Sequence, residues 1–63
     1  MKEFRVTFET EKLDVMGMCA IVRYAIELKC KISFSPMEIF MHIDCDCQVS
    51  YQLIRWQKEL YGA

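Results

Sequence analysis

The sequence predicts an α+β fold of chain order β-α-β-β-α: a two-layer sandwich with a three-stranded sheet in order 1-3-2 and two helices on one face. Three observations lead there. The chain opens on strict alternation of apolar and polar residues. A sixteen-residue apolar stretch follows from Leu13 to Leu28. Two more alternating runs are separated by Ser35-Pro36 and lead into an amphipathic C-terminal stretch.

In Lys2 to Glu9, Phe4, Val6 and Phe8 point one way and Glu3, Arg5, Thr7 and Glu9 the other, the pattern of a strand with one face on a core. Thr10 stands where a helix N-cap belongs, with Glu11 and Asp14 near the positive end of the dipole. Twelve of the sixteen residues from Leu13 to Leu28 are apolar, and the stretch is too long for an ordinary strand. It reads as a helix whose polar residues Arg23 and Glu27 share one narrow stripe. Such a helix must be covered on more than one side, by its own chain or by another copy.

Cys30 to Phe34 alternates again, with Cys30, Ile32 and Phe34 on one face. Ser35-Pro36 breaks the strand, because proline cannot donate to a ladder. Glu38 to Asp44 reads as the third strand, with Ile39, Met41 and Ile43 toward the core and Phe40 and His42 on the opposite side. The short link makes these two strands a hairpin. Asp44 or Asp46 then caps the last helix, with Cys45 at its opening and Val49, Leu53, Trp56 and Leu60 forming its core stripe up to about Leu60. Gly62 is a suitable terminator.

This order resembles a ferredoxin-like sandwich that stops before its fourth strand. The missing strand would have paired with the first, so the first becomes an open edge, which proteins rarely leave bare. The open edge and the over-apolar central helix both point to a homodimer, with Arg5, Thr7, Met16, Met18 and Tyr24 as candidate dimer contacts.

The 63 residues make one domain, residues 1–63, whose small size leaves stability marginal without staples or a partner. With 54% hydrophobic and 27% charged residues, the chain falls outside the disordered class. A net charge of -1 disfavours a duplex-DNA binder. The N-terminus does not read as a signal peptide, and the longest apolar run, Val15 to Val22, is too short for a bilayer. A soluble cytoplasmic protein with reduced thiols is the expectation, without a role at a membrane.

The densest polar cluster is His42 to Cys47, HIDCDC. Its imidazole and thiols, His42, Cys45 and Cys47, suggest a metal or thiol-redox module, although Cys45-x-Cys47 is tighter than the usual zinc spacing. The heavy-metal-binding ferredoxin-like domains carry C-x-x-C after their first strand, whereas that loop here reads FETEKLDV, so the resemblance implies no metal site. A helix N-terminus lowers a thiol pKa, but Asp44 and Asp46 oppose it. No glycine-rich phosphate loop and no serine-histidine-acid set is present, so no catalytic residue and no cofactor is expected. RNA-recognition domains of related topology stack bases on sheet aromatics, but here Phe40 stands alone on that face with Glu3, Glu9 and Glu38. Single-stranded RNA is therefore a third reading.

Tyr51 and Ile54 lie outside the core stripe of the last helix, on one flank with Lys58 and Tyr61. Together with Phe40 and His42 on the sheet, Tyr51, Ile54 and Tyr61 are candidate contacts for an unidentified protein partner. The resulting expectation is a small non-enzymatic interaction or regulatory module acting as a homodimer. Regulators and inhibitors of this size include those encoded by phages and mobile elements.

Overall fold

The computed structural model describes residues 3–62, with side chains through Leu60; Lys2 and the side chain of Tyr61 lie outside the described residues. The elements run β1 (Phe4–Glu9), a 3-10 turn (Thr10–Lys12), α1 (Val15–Glu27), β2 (Lys31–Phe34), a second 3-10 turn (Pro36–Glu38), β3 (Phe40–Cys45) and α2 (Cys47–Gly62). The sheet order is β1-β3-β2, with β3 antiparallel to both neighbours. This is the predicted β-α-β-β-α sandwich.

The core follows from the alternation. Val6 and Phe8 of β1 face Ile43 and Met41 of β3 in register, and all four side chains are buried. Ile21 and Ala25 of α1 and Val49 and Leu53 of α2 close over them. α1 lies over β2 and α2 over β1. Tyr24 and Trp56 fill the seam between the helices, edge to face, with ring centroids 4.7 Å apart.

Several boundaries differ from the sequence expectation, each for a local reason. Thr10 is not a helix cap: its Oγ1 donates to the carbonyls of Glu38 and Ile39 at 2.6 and 3.0 Å, tying the exit of β1 to the β2–β3 turn. Asp14 caps α1 instead, its Oδ1 accepting from Gly17 N at 2.6 Å, so the helix begins at Val15 rather than directly after Thr10. A Cβ on Gly17 would lie 2.9 Å from that oxygen and 3.4 Å from Leu60, so a bare residue suits this crossing of α1, its cap and α2.

At the other end of α1, Lys29 N donates to Ile26 O and Cys30 N to Ala25 O, the Schellman pattern. Lys29 holds the left-handed position at φ 58°, where glycine is usual. The β2–β3 turn also bends further than expected. Glu38 N donates to Ser35 O across Pro36 and Met37, and Met37 takes φ 63°, the arrangement of a type II turn. β3 consequently begins at Phe40 rather than Glu38, and Ile39 is exposed rather than core. Phe34 and Leu60, at the ends of their elements, are exposed too.

Asp46, not Asp44, caps α2: its Oδ1 accepts from Val49 N at 2.9 Å. Cys45 does not open that helix; it ends β3 with its side chain buried. Within the single chain α1 packs on the sheet and against α2, with Ile21 and Ala25 its only fully buried residues.

Candidate functional site

The outer face of the sheet is organised by two cross-strand contacts. Arg5 Nε and Nη2 donate to Asp44 Oδ1 and Oδ2 at 2.8 and 3.2 Å, a two-pronged ion pair. That hydrogen bond, then the carboxylate charge of Asp44, raises the pKa of Arg5; the same bond is the largest influence holding the Asp44 carboxyl below its ordinary value. One step along, Thr7 Oγ1 and His42 Nδ1 share a 2.9 Å hydrogen bond. Arg5, Thr7 and His42 are therefore engaged within their own sheet.

These positions separate the candidate metal ligands. His42 lies on the outer face, Cys45 is buried under the helices, and Cys47 is exposed in the first turn of α2. The structure does not bring the three together, and no group of three or more possible ligands occurs among the described residues. Nor do the candidate dimer contacts form one patch. Arg5 and Thr7 are on the sheet, Met16 and Met18 are on the helix layer, and Tyr24 is half-buried against Trp56. Of the candidate partner contacts, Tyr51 and Ile54 are exposed together on α2, whereas Phe40 and half-buried His42 lie on the other layer.

The hydrogen-bond pattern shows which edges are open. Thr10 N donates to Ile39 O and Ser35 N to Phe40 O. Carried along the two registers, these bonds turn the even-numbered residues of β1 and the odd-numbered residues of β2 toward β3. The backbone groups of Thr7 point to the β1 edge, where Gln57 Nε2 donates to Thr7 O at 2.6 Å and covers it. The backbone groups of Ile32 and Phe34 point to the β2 edge.

Above that edge runs the outward flank of α1. Ile21 and Ala25 face the sheet, and Tyr24 and Gly17 face α2 through Trp56 and Leu60. Val15, Cys19, Val22 and Ile26 therefore form a stripe roughly 60° wide on the side away from α2. Val15 is 79% and Ile26 62% exposed, and Met16, 82% exposed, stands on the crest beside it with Arg23 and Glu27. At the N-terminal end of the flank, the β2–β3 turn presents Met37, which is 90% exposed.

The contact residues expected from the sequence include neither the Val15, Cys19, Val22 and Ile26 flank of the over-apolar central helix nor Met37. The 4-3-4 spacing of Val15, Cys19, Val22 and Ile26 was the available signal for the first. For the second it was an apolar residue following Pro36, at the turn position glycine usually fills. No helix among the described residues is long and apolar enough to cross a membrane. Comparison with family models, curated proteins and solved structures returns no match.

Proposed function

We propose that this chain is a non-enzymatic protein-interaction module that pairs with a second copy of itself along β2 and α1 and binds another protein through its remaining exposed surface. The observation that carries the reading is the apolar flank of α1, where Val15, Cys19 and Ile26 are exposed beside half-buried Val22. A domain this small needs its apolar side chains for its own core, so an exposed apolar stripe beside an open strand edge suits a docking face.

The β2 edge supports a second copy as the occupant. An antiparallel pairing centred on Ser33 sets Ile32 opposite Phe34 of the partner subunit, and both residues have their backbone groups turned outward. Lys31 then faces Ser35 of the partner subunit, so like charges do not meet. The α1 flanks meet above the joined strands. The β1 edge suits this less well, because Gln57 already occupies the Thr7 carbonyl. Tyr51 and Ile54 on α2 stay exposed in such a dimer and remain the surface offered to the other protein.

Light scattering on the wild type and on a Val15→Glu, Ile26→Lys double variant tests the pairing. The expected result is a dimeric wild type and a folded, monomeric variant with an unchanged circular dichroism spectrum. A wild type that stays monomeric throughout a concentration series, or a variant that stays dimeric, overturns it.

A further inference from the structure

We propose that Cys30 and Cys45 are a built-in disulfide pair that closes across the β2–β3 ladder when the chain meets a small-molecule disulfide. β2 and β3 pair with Lys31 opposite Asp44 and Ile32 opposite Ile43, so one further step places Cys30 opposite Cys45. Cross-strand partners share a face of the sheet, and Cys45 faces the core with Ile43 and Met41.

The pair is also of the kind that brings side chains close. Cys30 N donates away from β3, to Ala25 O, and the bonded position next to it is Lys31 opposite Asp44. Cys30 and Cys45 thus occupy a non-hydrogen-bonded position, where Cα atoms in antiparallel ladders approach to about 4.5 Å, within the range a disulfide spans. Both cysteines line one open cleft, with Leu28, Asp44 and Asp46 beside them. The remaining two, Cys19 and Cys47, are exposed on different helices.

The electrostatics agree with this proximity. Burial pushes the Cys45 thiol up to about 11, and the charges of Cys30, Asp46 and Asp44 add to it in that order. Burial, then Asp46, raises Cys30 as well. Cys30 is the more accessible of the two and is the attacking sulfur. Its thiolate displaces one thiol from the oxidant to give a mixed disulfide. Cys45 then attacks the Cys30 sulfur and expels the second thiol. Two S–H bonds are lost and one S–S bond is gained, while the oxidant is reduced to two thiols. The bond fastens β2, a four-residue edge strand, to the centre of the sheet. It closes a loop of about 15 residues, the kind of staple a domain of this size lacks in its core.

The test incubates the whole chain with glutathione disulfide at mildly alkaline pH, followed by intact mass and peptide mapping. The expected product has lost the mass of two hydrogen atoms and yields a peptide linking Cys30 to Cys45. Its Tm rises by about 10 °C or more and falls back with dithiothreitol. The Cys30→Ser variant keeps the buried Cys45 for packing and gives neither the mass loss nor the Tm rise. Glutathione adducts confined to Cys19 and Cys47, with Cys30 and Cys45 still open to alkylation after unfolding, would overturn the proposal. So would disulfides between chains in place of the internal link.

Discussion

Two methionines give a controlled comparison of core and surface. Met41 is 0% exposed at the centre of β3, whereas Met16 is 82% exposed on the crest of α1. Truncating a buried methionine to alanine removes its transfer free energy and leaves a cavity, costing about 2–5 kcal/mol. A domain of this size holds roughly 3–9 kcal/mol in all, at about 0.05–0.15 kcal/mol per residue. Met41→Ala should therefore remove a large part of the total stability and lower Tm by about 10 °C or more. Met16→Ala removes no buried area and places a better helix former on a helix, so its stability should stay within about 0.5 kcal/mol of wild type. Urea unfolding at low protein concentration, with the m-value checked for constancy, measures both. Comparable losses in the two variants would refute the reasoning, because the exposed crest of α1 would then be core.

The caps and turns give further expectations. Asp46→Ala removes the acceptor for Val49 N and should cost about 1 kcal/mol in urea unfolding, with α2 losing order from its first turn. Lys29→Gly relieves a side chain held at φ 58° and should raise stability by about 1 kcal/mol in the same assay. Arg5 holds Asp44 below its ordinary value, so the pair's stabilising effect is present above about pH 4 and fades as pH falls through the depressed value. Urea midpoints measured from about pH 6 down to about pH 2 should fall less steeply in Asp44→Asn than in wild type.

The fold was legible because its signals were periodic. The alternation in β1 and the length and apolarity of α1 fix element type, and the short link fixes the hairpin. The crossover rule then leaves one sheet order. Phe8, Met41, Ile43 and Leu53 could be placed in the core from spacing alone. The errors fall where single side chains compete for backbone groups. Thr10 and Asp14 are both reasonable caps, and only the turn carbonyls waiting for Thr10 decide between them. Asp44 and Asp46 differ in the same way, since an arginine five residues into the chain claims the first. Ile39 fits a strand by pattern, but the left-handed Met37 and Glu38 delay the strand past it.

The candidate site was less legible, for a physical reason. An apolar residue in a helix reads as core whether its neighbours are its own chain or a second one. Ile21 and Ile26 look alike in sequence; only the position of α1 over β2 and beside α2 buries the first and exposes the second. The direction of backbone groups at an edge likewise depends on which cross-strand pairs are hydrogen-bonded, which side-chain alternation alone does not show.

The most direct test of the pairing surface is amide hydrogen exchange at Ile32 and Phe34 as protein concentration is raised. Both N–H groups point to the β2 edge and should exchange rapidly in dilute solution. In a dimer joined along that edge they become bonded, so protection should grow with concentration. The Thr7 amide, on the β1 edge, should show no such dependence. Exchange that stays fast at Ile32 and Phe34 at every concentration would contradict the account, as would protection that grows at Thr7 instead.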